Sequence, residues 1–118
     1  MYGLKEGIDL SFLTGRELIQ VAVGLYQVIF AFDEHVTISV EGSYQLHNED
    51  GTSIWSPGAT STAAPALSLL GATVTNARGE SNGTLTITFS GKESLVIMDS
   101  SEKFESYQIT KPGTTIVV

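Results

Sequence analysis

The chain is written twice, and that limits what so short a sequence can fold into. Residues 9–47 read Asp9-Leu-Ser-Phe-Leu-Thr-Gly15, then Leu18, Val21 and Val23, then Val28-Ile-Phe-Ala-Phe32, Val36-Thr-Ile-Ser-Val40 and Ser43-Tyr-Gln-Leu46. Residues 65–109 read Pro65-Ala-Leu-Ser-Leu-Leu-Gly71, then Val74 and Ala77, then Leu85-Thr-Ile-Thr-Phe89, Leu95-Val-Ile97 and Ser106-Tyr-Gln-Ile109. The offset is 56 residues at Gly15/Gly71, 57 at Phe32/Phe89, 59 at Ile38/Ile97 and 63 at Tyr44/Tyr107. It grows at turn-like residues, where insertions are tolerated. Two similar βββ units, each unable to bury its apolar face alone, are expected to pack about a pseudo-twofold axis.

The strand periods are clear within each copy. Val36, Ile38 and Val40 alternate with Thr37, Ser39 and Glu41, and Leu85, Ile87 and Phe89 alternate with Thr84, Thr86 and Thr88. Such alternation marks strands with one face buried. Tyr26 to Phe32 is apolar at nearly every position, which suits a strand covered on both faces. Asp33-Glu34-His35, Asn82-Gly83 and Ser90-Gly91-Lys92 are hairpin signals. Phe104, Tyr107 and Ile109 predict a further strand, and Thr114 to Val118 a last one. Asp9 with Gly15, and Pro65 with Gly71, frame two helical turns too short to stand alone. The expectation is one all-β domain over 1–118, an internally duplicated antiparallel β-sandwich or partly open β-barrel with one or two short helical turns. Residues 48–64, rich in Gly, Ser, Thr, Pro and Ala, are read as a surface loop between the copies.

Composition narrows the function classes. Thirteen acidic and six basic side chains give a formal net charge of −7. A direct nucleic-acid binder usually shows a clustered basic footprint, which is missing here. There is no cysteine, so thiol nucleophiles, disulfides and thiolate metal sites are excluded. The start of the chain carries acids where a secretory signal needs basic residues, and the apolar stretch Val21 to Phe32 is too short to span a bilayer. The expectation is a cytoplasmic protein with no membrane partner.

Chemistry-bearing constellations are sparse. No Gly-x-Ser-x-Gly elbow and no phosphate-cradling glycine loop occurs. Asp50-Gly51-Thr52 and Asp99-Ser100-Ser101 lack the matched pair of aspartates that a shared-proton peptidase dyad demands. His35 sits in the hairpin beside Asp33 and Glu34 and reads as a solvated turn residue. His47-Asn48-Glu49-Asp50 gathers possible ligands in one short run, whereas metal sites draw ligands from separated, supported elements. No catalytic residue, metal or cofactor is therefore expected.

The chain resembles a family of small, functionally uncharacterised bacterial all-β domains. The resemblance rests on Leu13-Thr-Gly-Arg-Glu-Leu-Ile-Gln-Val21, Tyr26-Gln-Val-Ile-Phe-Ala-Phe32, Ile38-Ser-Val-Glu-Gly42, Leu70-Gly71 with Val74, and Phe104-Glu-Ser-Tyr-Gln-Ile109 before Pro112-Gly113. That family commonly has a tryptophan where Tyr107 stands. The resemblance implies a fold and a bacterial origin, and it carries no catalytic residues with it.

The expected function is a non-enzymatic protein-binding domain, in its most concrete form an immunity protein that neutralises a basic toxin. Acidic inhibitors gain association rate against cationic enzymes through complementary fields. Trp55 reads either as a core plug or lid over the open end of the β structure, since a Trp buries a large area, or as an interface anchor on a loop. In the protein-binding reading it is the expected partner contact, with Glu49 and Asp50. The alternatives are a small-ligand-binding barrel or enzyme using His47, Glu49 and Asp50, and a homo-oligomer paired through the Thr114–Val118 edge.

Overall fold

The structure is a computed structural model, and it describes residues 3–4, 7–100 and 105–118. Ten strands follow one another: β1 (Leu18–Val23), β2 (Val28–Phe32), β3 (Thr37–Val40), β4 (Ser43–Asn48), β5 (Gly51–Trp55), β6 (Val74–Gly79), β7 (Leu85–Phe89), β8 (Ser94–Met98), β9 (Tyr107–Lys111) and β10 (Thr114–Val117). They form two five-stranded antiparallel sheets, ordered β1-β2-β3-β9-β10 and β5-β4-β8-β7-β6. The architecture is an all-β sandwich, open rather than closed into a barrel. A 3-10 turn at Ser11–Leu13 precedes β1, and a 3-10 helix at Thr60–Leu69 precedes β6. No helix among the described residues is long and apolar enough to cross a membrane.

The alternation seen in the sequence decides which face each strand buries. In β2, Val28, Phe30 and Phe32 point inward, and in β7 Leu85, Ile87 and Phe89 do the same, with partly exposed residues between them. Cross-strand pairing puts Phe30 opposite Ile38 and Ile87 opposite Leu95, so each sheet presents matched apolar rows to the other.

The duplication is visible in backbone hydrogen bonds. Gly15 N–H donates to the Val74 carbonyl at 2.8 Å, and its counterpart Gly71 donates to Leu18 at 2.8 Å; Leu18 donates to Ala72 at 3.0 Å and Val74 to Arg16 at 2.9 Å. These reciprocal bonds join the starts of β1 and β6 across the pseudo-twofold axis. Gly15 and Gly71 stand at φ of 88° and 87°, a left-handed conformation that glycine adopts without steric penalty. Both strands also carry an irregularity at the same place, between Leu18 and Gln20 and between Val74 and Asn76.

Three details depart from the expectations. First, each repeat has five strands rather than three, and the repeats exchange their last hairpins. The β4–β5 hairpin pairs with β8 of the second copy, while β9–β10 pairs with β3 of the first. Each sheet is thus built from both copies, which a pattern of alternation cannot foretell. Second, residues 48–64 are not one loop: they hold β5 and the first half of the 3-10 helix. Their small polar residues suit an edge strand, whose outer side needs no apolar cover. Third, register pairs Val28 with Val40 and Leu85 with Ile97, so the counterpart of Ile97 is Val40 rather than Ile38. The helical turns are 3-10, and Asp9 accepts the Ser11 N–H at 2.9 Å at the head of the first. The expected start of β9 at Phe104 lies outside the described residues.

The core is filled by large side chains. Phe30 meets Tyr44 edge-on, with ring centroids 5.3 Å apart, and Tyr44 stacks on Trp55 at 5.5 Å with 19° between the planes. Edge-on and offset rings are the favoured aromatic geometries.

Candidate functional site

The chain crosses between sheets twice at one end of the sandwich, through Glu41–Gly42 and through the segment that ends at Glu105. The crossings are tied together. Glu41 and Gly42 both donate their N–H groups to the Ser106 carbonyl, at 2.9 and 2.8 Å, and Ser43 Oγ lies 3.2 Å from Ser100 Oγ. Gly42 is closely confined, because a Cβ there would stand 2.9 Å from Ser100 Oγ and 3.3 Å from the Met98 carbonyl.

Pseudo-symmetry makes the two sides of this crossing comparable. Register places Gly42 where the second copy has Asp99, and Tyr26 where it has Gly83. On the second side the place is filled. Asp99 accepts hydrogen bonds from Ser106 Oγ at 2.7 Å and from Gly3 N–H at 2.7 Å, and Tyr107 Oη donates to the Gly83 carbonyl at 2.6 Å. On the first side Gly42 carries no side chain, and its Cβ direction is closed by Ser100, Met98 and Ser106. Beside it a cleft of about 540 Å³ lies between Tyr26, Glu41, Gly42, Ser43, Ser56, Pro57, Ser100 and Glu105. Below it, Tyr44 Oη and Trp55 Nε1 are buried without a hydrogen-bond partner among the described residues.

The cleft joins apolar and acidic surface. Tyr26 is 66% exposed on the β1–β2 hairpin, and the Gly58 N–H donates to the Leu25 carbonyl at 2.9 Å, which holds Ser56–Gly58 against that hairpin. Glu41 and Glu105 supply two carboxylates, and no described lining residue is basic. An aromatic face beside carboxylates suits a guanidinium or ammonium group, which each can attract. Burial pushes the Tyr44 hydroxyl up to about 12, so it stays protonated and neutral near pH 7.

The residues singled out in the sequence fall elsewhere. Trp55 ends β5, has no exposed surface, and is a core plug rather than an anchor on a loop. Its indole stacks on Tyr44 and so fixes where the following Ser56 and Pro57 emerge into the cleft. Glu49 and Asp50 occupy the exposed β4–β5 turn. They line a second cleft of about 530 Å³ with Asn48, Ser68, Gly91, Lys92 and Glu93. The two clefts lie at opposite ends of β4, ~16 Å apart at ~3.3 Å per residue, so one small ligand cannot use both.

His47 does not join Glu49 and Asp50. It lies on the outer side of β4, with Nε2 3.0 Å from Gln45 Oε1 and Nδ1 2.9 Å from Thr52 Oγ1, so both ring nitrogens are engaged. No group of three or more acidic or histidine side chains among the described residues is placed to hold a metal ion. The residues missed by sequence reasoning are Tyr26, Glu41 and Glu105. Aligning the copies by strand register would have found the place, because Gly42 stands opposite a charged residue and Tyr26 opposite a glycine.

The family profile that matches residues 10–118 is that of a family of unknown function, DUF6188. The chain belongs to this family. Membership covers all ten strands, both halves of the duplication and every residue of the Tyr26 cleft. No curated protein and no solved structure gives a significant match.

Proposed function

We propose that this protein is a non-enzymatic protein-binding domain that holds a basic partner at the Tyr26 cleft. The observation that carries the reading is the composition of that cleft: an exposed aromatic ring, a proline and two carboxylates, with no described cation to neutralise them. Surface carboxylates left without counter-charges favour a cationic partner and speed its approach. The concrete form of the reading is a bacterial immunity protein that neutralises a basic toxin. Glu49 and Asp50 extend the acidic surface at the far end of β4, within reach of a protein partner though not of a small molecule. Trp55 supports the site from beneath.

The test begins with the product of the adjacent gene, since an immunity protein is normally encoded beside its toxin. The two proteins are mixed and titrated calorimetrically at low and high salt. The expected result is a 1:1 complex that weakens as salt rises. Tyr26→Ala, and separately Glu41→Gln with Glu105→Gln, should each weaken it at least tenfold, a loss of about 1.4 kcal/mol. Binding that survives all three substitutions unchanged would remove the cleft from consideration, and absence of a complex would remove the immunity reading.

A further inference from the structure

Eight large hydrophobic side chains are exposed among the described residues, and six of them gather on one side of the molecule: Ile19, Val23, Leu25, Tyr26, Leu67 and Leu70. Four lie on β1 and its hairpin, one on the 3-10 helix that packs beside β1, and one, Leu70, at the C-cap of that helix. Hydrogen bonds fix that arrangement at both ends, from Gly58 N–H to Leu25 and from Gly71 N–H to Leu18.

The helix geometry decides where its leucines face. A 3-10 helix has three residues per turn, so side chains three apart stack in columns. Ala63, Ala66 and Leu69 form the buried column. Pro65 and Ser68 belong to the second column and line clefts against the β4–β5 hairpin. The third column, Ala64 and Leu67, is exposed on the remaining side, and Leu70 follows it, also exposed, at the C-cap beside the start of β1.

The second copy supplies an internal comparison. At the offset of 56, Ile19 corresponds to Thr75, Val23 to Gly79, Leu25 to Ser81, Leu67 to Ser11 and Leu70 to Thr14. All five counterparts are exposed, and none is a large hydrophobic. Scattered exposed apolar residues need no explanation. A set confined to one of two otherwise equivalent sides does.

Charge separates the possible occupants. None of the thirteen acidic and six basic side chains falls within 18–32 or 51–77, the segments that build this side. A basic partner is drawn to carboxylates; Glu41 and Glu105 stand at the Tyr26 margin of this side, and the segments that carry Ile19, Leu67 and Leu70 at its centre have none. For a second copy of an acidic chain, by contrast, a charge-free face is where contact brings no like charges together.

We propose that this face is a twofold interface through which two copies of the chain dimerise, with Ile19, Leu67 and Leu70 at its centre. The Tyr26 cleft lies at its margin, and the interface does not depend on what that cleft binds. An isologous contact uses the same patch on both copies, as one apolar face on each chain permits.

The experiment measures the mass of the purified chain in solution by light scattering and by sedimentation over a wide concentration range. The wild type should show about 25 kDa, twice the 12.6 kDa of the chain. The triple variant Ile19→Thr/Leu67→Ser/Leu70→Thr gives each position the residue that its counterpart in the other repeat (Thr75, Ser11 and Thr14) already carries exposed, so it should fold with an unchanged far-ultraviolet spectrum. It should run as a monomer, with dissociation at least a hundredfold easier. Adding charge to the opposite side, with Thr75→Glu and Ser11→Glu, should leave the dimer intact. A wild type that stays monomeric at every concentration overturns the proposal. So does a dimer that survives the triple variant, or one that Thr115→Lys on the β10 edge dissolves instead.

Discussion

Tyr107 and Tyr44 occupy equivalent places in the two copies, yet their hydroxyls have opposite fates, and this sets up a paired test. Tyr107 Oη donates a 2.6 Å hydrogen bond to the Gly83 carbonyl, buried from solvent. Tyr44 Oη is buried with no partner among the described residues. Tyr107→Phe removes a buried hydrogen bond and strands the carbonyl that received it, a combined loss of about 2 kcal/mol. Tyr44→Phe removes a hydroxyl that burial has separated from water with no compensating bond. That change should be neutral or stabilising by up to about 1 kcal/mol. The two substitutions delete the same atom from the same residue type at the same strand position, so side-chain volume and propensity cancel in the comparison. Urea denaturation should place the unfolding free energies of the two variants about 2–3 kcal/mol apart at equal slope. In thermal unfolding Tyr107→Phe should lower Tm by about 8 °C, taking about 4 °C per kcal/mol for a domain of this size. The reasoning fails if Tyr44→Phe proves as damaging as Tyr107→Phe.

The same hydroxyls govern behaviour in alkali. Burial raises the Tyr44 hydroxyl from 10.0 to about 12, and raises Tyr107 too, where the nearby Asp99 carboxylate adds to the effect. The folded state therefore keeps these protons after the unfolded chain has lost its own. Their stabilisation is whole below pH 10 and falls as pH rises above it, by up to about 1.4 kcal/mol per pH unit for each tyrosine. Urea midpoints measured from pH 8 to 12 should drop beyond pH 10, and the double Phe variant should flatten that drop. Trp55→Ala should lower stability by about 3–5 kcal/mol, since it empties a fully buried site beneath Tyr44. Chemical denaturation measures this directly, and a loss under 1 kcal/mol would contradict the place given to the indole.

Much of the fold could be read in advance, for identifiable reasons. The pairing of Gly15 with Gly71 was legible because a left-handed helix stop favours glycine, and both positions need one. The rows Val28-Phe30-Phe32 and Leu85-Ile87-Phe89 were legible because a half-buried strand imposes a period of two. The 3-10 helix was harder to see, since a run of Thr, Ser, Ala and Pro carries no helical period of 3.6. β5 was hidden for a related reason: as an edge strand it buries only Trp55, so its sequence reads as polar loop. For Trp55 the sequence leaves a core plug and a surface anchor both open, because its neighbours are loop-like. Only the stack on Tyr44, set by cross-strand pairing, shows that it faces inward. The cleft was invisible because Tyr26, Glu41 and Glu105 are far apart in sequence and carry no motif.

What the sequence determined by itself is therefore local and periodic: the strands, their buried faces, the turn glycines, and the fact that the pattern occurs twice. These follow from backbone sterics and from the burial of apolar side chains, both written residue by residue. Tertiary structure alone decided which strands pair. The exchange of β4–β5 and β9–β10 between the copies depends on the chain changing sheets at Gly42 and again between Asp99 and Ser106. It also depends on which apolar rows interlock once both halves are present. That exchange brings Glu41 and Glu105 to one rim and leaves Gly42 opposite Asp99, so the same fold that fills one side of the crossing opens a cleft on the other.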